Sequence, residues 1–157
     1  KYLAAKATLE IAEPQVAMFN AVRLVAPLDK TLKMKRTAME KVLATYGQAL
    51  DYGVAEVTTA ATFGMGELYR QLGADLMSSE RPKSLNAEEL EQYDVLLEEQ
   101  AFPFEEKAIE LHEANAQRTG DGVYDDWVQR SLDVLAKLKP ARYAKTEVSE
   151  DYVPELR

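Results

Sequence analysis

The segment Glu98 to Asn115, EEQAFPFEEKAIELHEAN, concentrates the residue types that could do chemistry in this chain: its only histidine, His112, among six glutamates. A histidine surrounded by carboxylates suggests a metal ligand or a general base. A metal site in a helical bundle needs a second His, or a Glu three or four residues away on the same face. Positions 108 and 109 are Ala and Ile, and Glu105 stands two turns off, so the Glu-x-x-His spacing of di-iron bundles is missing. Cysteine is absent altogether, which removes thiol nucleophiles, disulfides and Cys-based metal sites.

Other catalytic constellations fail in the same way. A Ser-His-Asp triad would have to use His112, and nothing marks a partner serine. No Gly-rich phosphate loop and no Gly-x-Ser-x-Gly elbow occurs. Neighbouring carboxylates such as Glu98 and Glu99 point apart on a helix. The chain reads as a non-enzyme without metal or cofactor. Phe104, Ala108, Leu111 and Asn115 share the helix face of His112, which is expected to be a half-buried histidine with a hydrogen-bonded ring.

The Phe-Pro-Phe at positions 102–104 separates two pairs of glutamates. Pro103 lacks an amide hydrogen and disfavours helical geometry at Phe102, so the spacing predicts a helix end or kink near Ala101. A new helix would start at Pro103, with Glu105 and Glu106 beside the positive end of its dipole.

Helical signals run almost from end to end, and no alternating strand pattern occurs. Pro14, Pro27, Gly53, the stretch Ser78 to Asn86, Pro103, Gly120 to Gly122 and Pro140 divide the chain into about seven helical pieces. Leu32, Arg36, Met39, Leu43, Tyr46 and Leu50 form one stripe, ended by Gly53 as a helix C-cap, with Tyr46 expected against a neighbouring helix. Ala61, Met65, Leu68, Leu72 and Leu76 form the next. Asn86 with Glu89 three residues on predicts a capping box. Tyr124, Val128, Ser131, Leu135 and Leu138 form a last face, with Trp127 and Leu132 beside it and Pro140 ending it.

At 157 residues the chain has the length of one domain. With 46% hydrophobic and 29% charged residues it belongs among folded proteins, and no apolar run is long enough to cross a bilayer. It begins at Lys1 without an initiator Met and is read as a piece of a longer chain. Residues 1–144 are assigned to the helical domain and 145–157 to a polar, acidic tail that is either loose or docks elsewhere. From Asn86 to Asn115 nine Glu and one Asp face the single Lys107, a balance of -9 in a chain whose total is -8. Nucleic acid is a poor partner for such a segment. A basic protein partner fits it, and so does plain solvation. Lys30, Lys33, Lys35 and Arg36 form the opposite pole, able to grip an acidic partner or lipid headgroups, to pair with the acidic helices or simply to face water.

Met65-Gly66-x-x-Tyr69-x-x-x-Gly73 resembles the first-helix signature of a tetratricopeptide repeat, in which a small residue allows close helix approach and an aromatic fills the gap. Val42-x-x-x-Tyr46-x-x-Ala49 resembles the second helix of the preceding unit, with Gly53 where proline often stands. The repeats are irregular, because the apolar pattern continues to Met77 and a loop with Arg81-Pro82 intervenes. The stretch from about Lys30 to Lys145 is similar to the C-terminal part of large bacterial cell-envelope proteins with such repeats, of the kind that accompany Tol, TonB or gliding-motility motors.

That resemblance implies an all-α, right-handed tetratricopeptide-like superhelix, located in the periplasm or cell envelope, that binds other proteins and carries no catalytic residues. On physical grounds alone a cysteine-free domain fits the cytoplasm equally well. The expected function is a scaffold holding a peptide or helix of a partner in a groove lined by the helix containing Ala61 to Tyr69. Glu98, Glu105, Glu106, Glu110 and Glu113 are the expected acidic wall, with Tyr69 and Trp127 as aromatic anchors, although Trp127 and Tyr124 at helical spacing also suit a core. The alternative is a structural helical domain that associates with itself.

Overall fold

The computed structural model describes residues 1–145. The acidic tail therefore lies, from residue 146 on, outside the described residues. The fold is all-α: α1 (Tyr2–Ala21), α2 (Leu28–Asp51), α3 (Ala55–Met77), α4 (Ala87–Gln117), a 3-10 turn (Arg118–Asp121), α5 (Asp126–Leu138) and the short α6 (Pro140–Tyr143). The count among the described residues is thus six helices, one fewer than the punctuation predicts. Neither Pro14 nor Pro103 ends a helix: each lies inside one, in α1 and α4. Packing explains α4, since Leu97 and Ala101 are buried before the proline and Ala108, His112 and Asn115 after it. Both halves are anchored by burial, which outweighs one missing hydrogen bond.

The boundaries follow ordinary capping chemistry. Gly53 adopts φ 60, where a side chain would be strained, and its N–H donates to the Leu50 carbonyl at the end of α2. Asn86 and Glu89 form the expected capping box, with reciprocal bonds of 2.9 and 3.0 Å. Arg81 ties the end of α3 to α4, donating to the carbonyls of Met77 and Ser79 and to Asp94. At α5 the cap is Asp125, whose carboxylate accepts from the N–H groups of Trp127 and Val128. Tyr124 accordingly precedes the helix and is exposed, not part of its core face. Pro140 ends α5 and also opens α6.

Consecutive helices pack on one another, and α3 additionally touches both α1 and α5. Small residues such as Ala60, Ala61, Gly66 and Gly73 make this possible, and they are buried together with Val57, Thr59, Thr62, Leu68, Leu72 and Leu76. Such a helix is covered on several sides, more than the single broad face its sequence predicts. Phe19, Met39, Val42, Leu68 and Leu72 make the central cluster, and each large side chain contributes about 1.5–3 kcal/mol by leaving water.

The buried face of α2 is rotated from the expected stripe. It carries Lys35, Met39, Val42, Thr45 and Ala49, and Arg36 is exposed. Lys35 is 1% exposed, and its ammonium donates to the carbonyls of Phe19 and Val22 and to Asp75, at 2.9, 3.0 and 2.8 Å. Those carbonyls belong to the last turn and the C-cap of α1, where a cation is favoured. A basic residue thus enters the core to cap a helix. Of the described helices, none is long and apolar enough to cross a membrane.

Candidate functional site

An open trough of about 430 Å³ runs over α3 between α1 and α5. Leu9, Val16 and Phe19 of α1, Tyr46 of α2, Phe63, Gly64 and Leu68 of α3, and Trp127 of α5 supply its apolar surface, with Glu13 and Glu67 as its carboxylates. Its floor depends on a glycine: a Cβ on Gly64 would stand 2.5 Å from the Tyr46 ring. Without a side chain at that position, Tyr46 lies flush against α3. Burial raises the pKa of the Tyr46 phenol, and the charge of Glu13 adds to it.

Beneath the trough runs a buried polar chain. The Nε2 of His112 lies 3.0 Å from Glu67 and its Nδ1 3.0 Å from the Ser131 hydroxyl, with the ring fully buried. Asn115 donates to the same hydroxyl and to the Thr59 carbonyl, both at 3.0 Å, and the Thr59 hydroxyl donates to Asp125 at 2.6 Å. Counting donors and acceptors orients the chain. The ionised Glu67 carboxylate only accepts, so Nε2–H donates to it, and in that tautomer Nδ1 accepts the Ser131 proton while Ser131 Oγ accepts from Asn115. Burial pushes the Glu67 carboxyl up, but hydrogen bonds from His112 and Arg70 and the positive charge of Arg70 together hold it down to about 2.

Glu67, His112 and Ser131 are ordered as in a charge-relay triad, yet Ser131 is fully buried and cannot meet a substrate where it stands. The chain of bonds joins α3, α4 and α5 and leaves no buried side-chain polar atom unpartnered among the described residues. His112 is more deeply buried than its spacing suggests. Ser131 and Glu67 are the partners sequence reasoning missed; the signal for Ser131 is a hydroxyl at helical spacing between Val128 and Leu135. Among the described residues no group of three or more His, Asp or Glu could hold a metal ion.

The structure distributes the remaining sequence candidates over different surfaces. Trp127 lines the trough, packed 5.4 Å from Phe63. Tyr69 is half-buried against the central cluster. Glu98, Glu105, Glu106 and Glu110 are exposed on α4, and Glu106, Glu110 and Glu113 border a separate shallow depression with Lys139. Glu113 accepts from Lys139 and Tyr143, both at 3.0 Å, and fastens α5 and α6 to α4. The hydrogen bond from Lys139, with smaller help from Tyr143, holds its carboxyl below the usual range despite some burial.

The chain matches no protein-family model, and no curated protein or solved structure matches it.

Proposed function

We propose that this chain is a non-enzymatic protein-interaction scaffold: a tetratricopeptide-like superhelix that holds an apolar helix or peptide of a partner in the trough between α1, α3 and α5. The observation that carries this reading is the contact of α3 with both α1 and α5 while α2 and α4 alternate with them in sequence. In a solenoid of helix pairs the first helices of successive pairs line one face, and the trough lies on the face formed by α1, α3 and α5. Gly66 and Tyr46 support the same reading, since each sits at a close helix approach.

The occupant best suited to an apolar floor with Glu13 at its edge is an amphipathic helix carrying a Lys or Arg, because a preformed groove lowers the ordering cost of binding and charge speeds encounter. The similarity of the Lys30 to Lys145 stretch to envelope repeat proteins supports a bacterial envelope complex, and the periplasm, as its setting. Photo-crosslinking from position 9, which also lines the trough, in a solubilised envelope fraction tests this. One partner should be trapped by wild type and by a Glu105→Lys, Glu106→Lys, Glu110→Lys variant, and lost with Glu13→Lys, Val16→Asp. Equal trapping by all three would remove the trough as the binding site.

A further inference from the structure

Two exposed apolar surfaces lie outside the trough, and their charges are opposite. On α1 and α2, Met18, Val22, Met34 and Ala38 make a patch bordered by Lys30, Lys33 and Lys41. Met18 is 61% exposed and Met34 53%. On α4, Val95, Phe102 and the flanking Leu96 are exposed within a stripe of Glu91, Glu98, Glu99 and Glu106. Spacings of three and four residues put that stripe opposite the buried Leu97, Ala101 and Ala108. None of these three lysines or four glutamates makes an ion pair within the described residues.

We propose that the lysine-rimmed patch of α1 and α2 docks the glutamate-rimmed stripe of α4 on a second copy of this chain. Complementarity is the ground for choosing a second copy: an apolar centre ringed by lysines selects an amphipathic helix edged with carboxylates, and α4 presents one. The two methionines can adjust to the Phe102 ring and the branched Val95. Since the surfaces lie on different helices, the contact is heterologous, and copies add head to tail unless the geometry closes a ring. This association leaves the trough open and is independent of what the trough holds.

The test is sedimentation velocity of the full chain over a concentration series of about 10–500 µM, the range for a small interface. Wild type should grow in average mass with concentration, and less so when salt rises from about 50 to 500 mM. Lys30→Glu, Lys33→Glu, Lys41→Glu and, separately, Glu91→Lys, Glu98→Lys, Glu99→Lys should each weaken association about tenfold or more. An equimolar mixture of the two variants should associate again, because each supplies the surface the other has lost. Unchanged circular dichroism keeps a folding defect from being mistaken for the effect. A wild type that stays monomeric, or a variant that associates as wild type does, overturns the proposal. So does a lysine patch that only retains the protein on phosphatidylserine vesicles, which would make it a lipid site.

Discussion

The imidazole of His112 rests on the bare backbone of Gly66: a Cβ at that position would lie 2.7 Å from Nε2. Both ring nitrogens are committed, to Ser131 and Glu67, so the ring is not a flexible end that can swing away. Gly66→Ala should therefore destabilise the fold by about 1–3 kcal/mol, although alanine is the better helix former by about 1 kcal/mol. Gly73→Ala is the matched control. Its new Cβ would meet the nearest atom at 3.7 Å, ordinary contact, and it should stabilise by up to about 1 kcal/mol. Urea denaturation of the pair reads both signs; destabilisation of equal size in both would contradict the close approach.

Lys35 should be among the most sensitive positions in α2. Lys35→Ala removes three hydrogen bonds at once, taking the ammonium donor from the Val22 carbonyl and leaving the Phe19 carbonyl with the Val22 N–H alone, at a cost of about 3–5 kcal/mol. Asp75→Asn keeps the two carbonyl partners and should cost less, about 1–2 kcal/mol. If Lys35→Ala behaved like an exposed substitution, within about 0.5 kcal/mol of wild type, the helix-capping role would be wrong.

Much of the all-α fold is legible in the sequence, because helical periodicity, the Asn86-Glu89 pair and Gly53 act locally. Tertiary contacts decided the rest. Lys35 is invisible as a core residue until the end of α1 presents two carbonyls to it, and Pro103 reads as a break until α4 is clamped on both sides. The α3 span from Ala61 to Tyr69 contributes Phe63, Gly64, Glu67 and Leu68 to the trough, whose other lining comes from α1, α2 and α5, while the glutamates of α4 lie on other surfaces. Charge density along a sequence does not reveal which helix layer will carry it.

The buried chain fixes a tautomer. His112 should carry its proton on Nε2 and accept at Nδ1, visible in the nitrogen shifts and couplings of the imidazole. Ser131→Ala removes the donor to Nδ1 and the acceptor for Asn115, with an expected loss of about 1–3 kcal/mol. A proton found on Nδ1 would make Ser131 the acceptor there and contradict this orientation of the His112–Ser131 bond.

Glu67 links the fold to acid. Its carboxyl sits at about 2 in the folded chain against an ordinary value of 4.5. A depressed folded value stabilises fully above the unfolded value, so the contribution is intact above about pH 5 and is lost as pH falls from there toward 2. The loss should be on the order of 2 kcal/mol. Glu113, also held low, acts in the same direction. Glu67→Gln should lower stability at pH 7 and flatten the acid limb of a stability-against-pH curve, whereas an acid limb as steep as that of wild type would mean that other carboxylates carry the transition.

Pro103 separates local preference from packing. It sits exposed inside α4, where its ring crowds the carbonyl four residues back and its nitrogen has no hydrogen to donate. The helix continues nevertheless, so the surrounding contacts must outweigh that strain. Pro103→Ala restores a donor and loses little packing, and should stabilise the chain by about 1–3 kcal/mol, with slower hydrogen exchange in the turn from Glu99 to Phe104. Ala101 and Phe104 pack on Leu24 and Leu76 on the near side of this turn. If the substitution were neutral or destabilising, Pro103 would itself be required to seat that cluster.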